Sequence, residues 1–292
     1  MILLDGRQTS AKIKEEIAAT VSQMKQQNQR VPHLAAVLVG MDGASMTYVG
    51  AKVRACELVG FDSTLIELPE DTSERELLNQ IKALNNNPDI DGFIVQLPLP
   101  KHIDDQKILM AIAPDKDVDG FHPVNVGRLT LDLPTFISAT PYGIMELLER
   151  YDILTSGKHV VVIGRSHIVG RPMSILMSQK RKAGNATVTV AHSRTINLEA
   201  LTKKADIVIA ALGIPEFLTA DMVKNDAVVI DVGITRVDDP SKKKGYRIVG
   251  DVDFESVSKK ASHITPVPGG VGPMTIAMLL KNTLLARKGF KN

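Results

Sequence analysis

The sequence predicts an α/β protein built as two domains, each around a parallel sheet. Three observations carry this. Apolar runs of strand length alternate with helical patterns in the first half, the alternation restarts after residue 158, and the second series opens on a glycine turn set between a strand and a helix. Strands that alternate with helices form βαβ units, and the strands of such units pair in parallel.

The first series starts with a helix over about residues 7–29, where Ile13, Ile17 and Val21 recur at spacing four. The runs "LAAVLVG" (34–40), "STLIELP" (63–69) and "DGFIVQLP" (91–98) read as buried strands. Between them "SMTYVGAKVRACELVG" (45–60) and "SERELLNQIKALNN" (73–86) read as helices. In "TPYGIMELLERYDILTSGK" (140–158) a proline turn leads into an amphipathic helix that crosses between domains. Four more strands follow in "HVVVIG" (159–164), "ATVTVAH" (186–192), "ADIVIAALG" (205–213) and "AVVIDVG" (227–233). The C-terminal "TPVPGGVGPMTIAMLLKNTLLARKGF" is a Gly/Pro loop and a helix placed to pack back on the first domain. The expected bounds are 1–142 plus 266–292 for the first domain and 143–265 for the second, with a cleft between them.

At 292 residues, 44% hydrophobic and 23% charged, the chain falls in the soluble globular class, and no apolar run approaches the length of a bilayer span. The N-terminal "MILLDGRQTS" reaches an acidic residue after four positions, unlike a signal peptide, so a cytoplasmic location and no membrane partner are expected. Cys56 is the only cysteine, which excludes an internal disulfide. The seven histidines show neither an H-x-H nor an H-E-x-x-H pairing, so no metal is expected. A net charge of +2 gives no concentrated basic face for nucleic acid, and "KRK" (180–182) and "KKK" (242–244) read as solvated surface.

The glycine turn reads "VVIGRSHIVGRP" (161–172). A strand, a tight turn and a helix start direct free backbone N–H groups and the positive helix end toward an anion. It departs from the dinucleotide fingerprint G-x-G-x-x-G: Ser166 stands where the second glycine belongs, and Gly170 arrives one residue late. A purely structural turn satisfies the same local pattern. The strands that follow at Rossmann-like spacing favour a dinucleotide. At the end of the second of these strands an NAD site carries Asp or Glu for the ribose 2′-hydroxyl, whereas an NADP site carries a basic residue. Here that tip offers Ser193 and Arg194, and Arg165 reaches the same region, so NADP is the expected cofactor.

In the first domain Tyr48 and Lys52 are spaced i, i+4 on one helix face, beside a core-facing stripe of Val49, Val53 and Cys56. Gln96 ends a buried strand, on the side where open parallel sheets place their ligand crevice, and Asp119 lies in the turn-rich "PDKDVDGFHP". Singly, each also reads as an exposed lysine, a glutamine bonded to backbone, or a core tyrosine.

Together, "TYVGAKVRACELVGF", "DGFIVQLPLP", "PDKDVDGFHPVNVGRL", "VVVIGRSHIVGRPM", "HSRT", "DVGI" and "TPVPGGVGPMT" resemble the motifs of the bifunctional methylenetetrahydrofolate dehydrogenase/methenyltetrahydrofolate cyclohydrolase family. They stand in the family's order and span nearly the whole chain. One departure is "SATP" (138–141), where the family commonly has Pro-Cys-Thr-Pro; that cysteine has no catalytic role there.

The resemblance implies two reactions of one-carbon metabolism in one cleft. These are NADP-dependent oxidation of 5,10-methylenetetrahydrofolate to 5,10-methenyltetrahydrofolate, and hydrolysis of the product to 10-formyltetrahydrofolate. It implies Lys52 as the catalytic lysine with Gln96 as its polar partner, Tyr48 as the stack on the aminobenzoyl ring, and Asp119 as the carboxylate on the pterin. Leu97, Pro98, Pro268, Gly269 and Gly270 would also meet folate. Gly164, Arg165, Ser166, Gly170, Ser193, Arg194 and Ile234 would hold NADP, and the assembly would be a homodimer. A lysine suits hydrolysis if burial and neighbours depress its pKa, and Gln96 bonds the amine without adding the negative charge that would restore its proton. Two rivals are a dehydrogenase without hydrolase activity and a non-enzymatic NADP-sensing module, which leaves the first domain's polar residues without a purpose.

Overall fold

The computed structural model describes residues 1–40, 43–242 and 244–290, so position 243 of the "KKK" run lies outside the described residues. Strand β1 (Ile2–Leu3) and helix α1 (Gly6–Gln26) come first. They are followed by β2 (His33–Val39), α2 (Gly43–Val59), β3 (Asp62–Leu68), α3 (Glu74–Asn86), β4 (Gly92–Val95), α4 (Asp105–Ala111) and α5 (Pro123–Thr130). Helix α6 (Ala139–Arg150) leads to β5 (His159–Ile163), α7 (Gly170–Ser178), β6 (Thr187–Ala191), α8 (Leu198–Thr202), β7 (Ile207–Ala210) and β8 (Val228–Asp231). The chain closes with β9 (Thr235–Asp238), β10 (Tyr246–Val249), α9 (Phe254–Val257), β11 (His263–Ile264) and α10 (Val271–Lys288).

Two compact units result, one of Met1–Ser10 with Thr140–Thr275, the other of Ala11–Ala139 with the chain from Ile276 onward. The first holds a six-stranded parallel sheet in the order β1-β11-β8-β7-β5-β6, and the second a three-stranded parallel sheet in the order β3-β2-β4. The divisions fall inside α1 and α10, not at the bounds drawn from sequence. The reason is local. Strand β1 pairs with β11, Ile2 opposite His263, and Gly6 lies so close to the 269–270 turn that a Cβ there would stand 1.7 Å from the Gly270 carbonyl oxygen.

Strands β5, β7 and β8 are buried along most of their length, as continuous apolar runs of a parallel sheet covered on both faces require. Leu77, Ile81 and Leu84 of α3 and Ile108 of α4 pack with Ala35, Val37 and Phe93 into the core of the smaller sheet. Residues 63–69, expected as a buried strand, instead form the edge strand β3, exposed at Asp62, Ser63, Leu65 and Glu67. Helix α1 ends three residues before the sequence pattern suggests. Asn28 adopts φ +53°, and the amides of Asn28 and Gln29 bond back to the carbonyls of Lys25 and Met24. This left-handed residue followed by a 6→1 bond is how many helices stop. Helix α3 starts where its sequence says: Ser73 caps it, and Glu76 returns the bond to the Ser73 amide at 2.8 Å.

Sequence periodicity did not reveal β1, β11 or the antiparallel hairpin β9–β10, each of two to four residues. No helix among the described residues is long and apolar enough to cross a membrane.

In each sheet one interior strand, β2 or β5, opens on histidine and is tied at that end to both neighbours. The His33 amide donates to Asp91 Oδ2 at 2.8 Å and its Nε2 meets Thr64 Oγ1 at 2.8 Å. In the other unit the His159 amide donates to Asp206 Oδ2 at 3.0 Å and Nε2 meets Thr189 Oγ1 at 2.9 Å. Each aspartate also holds a cation, Arg30 and Lys224 respectively, at 2.6 Å.

Candidate active site

The strand order reverses at β2 in the smaller sheet and at β5 in the larger one, so the loops at the carboxyl ends of these strands and their neighbours flank the crevice where open parallel sheets bind ligands. In the smaller sheet, the segment beyond β4 begins at Gln96, whose amide still bonds to Val37 O at 2.9 Å. Gln96 Nε2 donates to Leu97 O at 2.7 Å, a group that can only accept, and this turns Oε1 toward Lys52. Lys52 Nζ donates to that oxygen at 3.1 Å. The expected pair therefore forms, with the lysine delivered by α2 and the glutamine by the end of β4. Tyr48, one turn earlier on α2, leaves about half of its surface exposed (52%). Leu97 and Pro98 continue directly from Gln96 through a cis peptide.

Asp119 is half-buried. Burial holds its carboxyl above the usual carboxylate range, with the Lys52 cation acting the other way, so the two groups lie within electrostatic reach. Its loop is held by a residue that sequence reasoning passed over. Asp117 is buried, and its Oδ2 accepts from the His122 amide at 2.7 Å and from Asn125 Nδ2 at 2.9 Å. Burial pushes the Asp117 carboxyl up to about 6, with those hydrogen bonds acting the other way. From α10, Asn282 Nδ2 donates to the carbonyls of Val118 and Ile137 at 2.8 and 2.9 Å, clamping the same loop.

In the six-stranded unit the glycine turn after β5 keeps the steric roles of a dinucleotide fingerprint. A Cβ on Gly164, at φ +128°, would stand 2.3 Å from Ala211 O, and one on Gly170 would stand 2.2 Å from Gly164 O. The first glycine makes the turn, and the last lets α7 approach the strand. Ser166 accounts for the missing middle glycine: its Oγ accepts from the amides of Val169 and Gly170 at 3.2 and 3.4 Å and caps the turn into α7. Arg165 and Ser166 are exposed, as are Ser193 and Arg194 beyond β6. The loop bearing those last two is folded on itself, with the His192 amide on Thr195 Oγ1 at 2.8 Å and the Arg194 amide on His192 Nδ1 at 3.2 Å. Glycine at 164 and 170 is what lets strand, turn and helix start close up this tightly, the shape that suits a dinucleotide phosphate at a helix N-terminus.

Pro268, Gly269 and Gly270 line a cavity in this same unit with Val232, Ile234 and Arg7. Sequence reasoning gave Arg7 no role; its amide bonds to Gly269 O at 3.1 Å.

Family models cover both parts of the chain. Residues 4–119 match the catalytic domain of tetrahydrofolate dehydrogenase/cyclohydrolase, and residues 138–291 match its NAD(P)-binding domain. The chain belongs to the tetrahydrofolate dehydrogenase/cyclohydrolase family. It is 69% identical over 288 residues to the bifunctional protein FolD of Flavobacterium psychrophilum, covering 99% of this chain and 98% of the relative. Among solved structures it resembles the bifunctional FolD enzyme of Campylobacter jejuni, at 50% identity and TM-score 0.92, with 99% of each chain covered. It also resembles the Trypanosoma brucei dehydrogenase-cyclohydrolase complexed with NADP and an inhibitor, at 40% identity and TM-score 0.92, covering 99% of this chain and 97% of that one. As a member of this family the chain is a bifunctional enzyme, a methylenetetrahydrofolate dehydrogenase and a methenyltetrahydrofolate cyclohydrolase.

Proposed function

We propose that Lys52 is the catalytic residue of the hydrolytic step, that Asp119 and Tyr48 hold the folate, and that the glycine turn and the Ser193–Arg194 tip hold NADP. The observation that carries this reading is the 3.1 Å bond from Lys52 Nζ to Gln96 Oε1 at the carboxyl end of β4. Oxidation removes a hydride from the one-carbon bridge of methylenetetrahydrofolate and leaves the methenyl cation; NADP, when bound, supplies the hydride acceptor. The chain's share of that step is alignment, which converts an encounter into a near-attack geometry.

Hydrolysis adds water to the methenyl carbon, opens the bridge and releases one proton. Lys52 moves protons between the water and the one-carbon unit. Gln96 holds the lysine nitrogen through a neutral oxygen, so this partner does not tie a proton to the amine. Tyr48 stacks on the aminobenzoyl ring, and the Asp119 carboxylate accepts hydrogen bonds from the donor edge of the pterin, with Leu97 and Pro98 in backbone contact with folate.

Asp119→Ala is expected to raise the Michaelis constant for folate in both reactions together by about ten-fold or more, since one hydrogen bond to a charged group contributes about 1.5–3 kcal/mol. The assay follows the reduced-nicotinamide and methenyl absorptions with NADP present, then methenyl decay without it. Loss of one activity alone would assign Asp119 to chemistry rather than binding.

A cytoplasmic location and a homodimer complete the proposal. The buried, unpaired Cys56 suits a reducing compartment. Strand β6 is an edge strand of the six-stranded sheet, Thr187–Ala191, without a charged side chain and with Val190 exposed, which is the kind of edge that pairs with another copy. Sedimentation should give a dimer for the wild type and a monomer for Val190→Lys; a monomeric wild type would remove this part of the reading.

A further inference from the structure

We propose that Asp251 is a positioning residue for the dinucleotide: together with Asp231 it holds the loops after β7 and β8 in their binding shape before NADP arrives. This rests on the assignment of NADP to the carboxyl end of the six-stranded sheet.

The order of that sheet reverses at β5, with β6 on one side and β7 on the other, so the loops after β5 and β7 border the ligand crevice. Gly164, after β5, rests against Ala211. The next two amides of that β7 loop, from Leu212 and Gly213, both donate to Asp251 Oδ2, at 2.6 and 3.0 Å. The Asp251 amide donates in turn to Asp231 Oδ1 at 2.8 Å. That oxygen also accepts from the Gly233 amide in the loop after β8, at 3.0 Å, while Asp231 Oδ2 takes the Val252 amide at 3.0 Å. Thr265 Oγ1, just past β11, accepts from the Asp231 amide at 2.7 Å. Five backbone N–H groups from three separate segments thus converge on two carboxylates.

Both acids are shut away from water, Asp231 at 3% exposure and Asp251 at 0%. Burying a carboxylate is costly unless hydrogen bonds replace its water. Here the surrounding backbone has been shaped around the acids. A Cβ on Gly233 would lie 2.4 Å from Asp251 Oδ1, and one on Gly250 would lie 1.8 Å from Asp231 Oδ2. Asp251 Oδ1 is buried and accepts no hydrogen bond among the described residues, so its fixed role is the grip of Oδ2 on the β7 loop.

What the two loops display identifies what they are shaped for. Each is held rigidly from below, yet each leaves a large apolar side chain in solvent: Ile214 at 49% exposure after β7, and Ile234 at 54% after β8. Fixed loops that present apolar side chains beside a phosphate-binding turn suit a flat heteroaromatic ring and its ribose. Sequence reading took Ile234 as a cofactor contact; Ile214 belongs with it.

The test measures NADP binding directly by calorimetry for the wild type, Asp251→Ala and Asp251→Asn, alongside cyclohydrolase turnover without NADP. Asp251→Ala should raise the NADP dissociation constant about ten-fold, the loss expected from removing a charge-assisted acceptor, with methenyl hydrolysis within about two-fold of wild type. Asp251→Asn, whose amide oxygen can take both loop N–H groups, should restore the constant to within about three-fold of wild type. An alanine variant that binds NADP as tightly as wild type overturns the inference. Should that variant fail to fold, amide exchange in the wild type decides. Protection of the Leu212 and Gly213 amides without NADP supports the inference, and free exchange that slows only on adding NADP overturns it. A wild type that does not bind NADP would instead remove the cofactor assignment itself, and this inference with it.

Discussion

Lys52→Met is expected to abolish methenyltetrahydrofolate hydrolysis while the protein stays folded and still binds NADP. Methionine keeps the length of the side chain and removes the amine that donates to Gln96 Oε1 at 3.1 Å. A positioned proton-transfer group contributes about 10²–10⁴-fold to rate, so turnover should fall by at least about 100-fold. The loss should be in the rate constant rather than in cofactor affinity, because Lys52 belongs to the smaller sheet's unit and the glycine turn to the other. Decay of the methenyl absorption measures the first quantity, and calorimetry with NADP the second. Hydrolysis near the wild-type rate would remove Lys52 from the mechanism.

The second large effect concerns cofactor choice. Arg165 leaves the glycine turn and Arg194 the tip of β6, both exposed, and "AHSRT" contains no acid to bind a free 2′-hydroxyl or to repel a 2′-phosphate. Each guanidinium–phosphate contact is worth about 1.5–3 kcal/mol, which predicts a preference for NADP over NAD of about ten-fold or more. Arg194→Ala alone should retain part of it if, as proposed, Arg165 also pairs with the phosphate. The double variant Arg165→Ala with Arg194→Ala should lose most of it. The measurement is the ratio of kcat/KM for the two cofactors at fixed ionic strength. A wild-type ratio near one, or a double variant that keeps the wild-type ratio, would mean the 2′-phosphate lies elsewhere.

The alternation of strands and helices was legible because buried parallel strands are nearly uninterrupted apolar runs, as in residues 160–163. Elements of two residues, such as β1 and β11, leave no period to read, and their pairing joins positions 261 residues apart in the chain. The edge strand was the harder one to place: "STLIELP" carries Ser63, Thr64 and Glu67 where the interior run "LAAVLVG" is apolar throughout, and the pairing of β2 with both β3 and β4 shows that β3 has a free side. The end of α1 was misjudged because the stop is a backbone conformation at Asn28, not a break in the apolar spacing.

At the site, the Lys52–Gln96 pair was approachable from the spacing of "TYVGAK" and the strand-end position of Gln96. The supporting acids were not. Asp251 finds its donors 38 and 39 residues away and Asp231 finds donors 20 and 21 residues away, so the identity of each as an aspartate says nothing until the chain has folded. Asp117 hides differently. In "DKDVD" three acids stand at alternate positions; the middle one is buried as a structural hub and the last is half-buried toward Lys52.

The paired histidines at the start of β2 and β5 bear on how such an enzyme can be altered. Each locks the incoming end of an interior strand to both neighbours, by an amide to the aspartate before one and a ring nitrogen to a threonine on the other, and in each case the aspartate is anchored by a cation. The glycine turn hangs from the opposite end of β5, and residues 96–98 from the opposite end of β4, the strand beside β2. Register is thus secured at the end away from the rim, so exposed rim side chains such as Arg165 and Arg194 can be exchanged without renegotiating how the strands align, whereas Gly164 and Gly170, which pack against backbone, cannot. Each sheet is a fixed stage with an interchangeable rim, and transplanting a new cofactor or substrate preference is an operation on the rim alone.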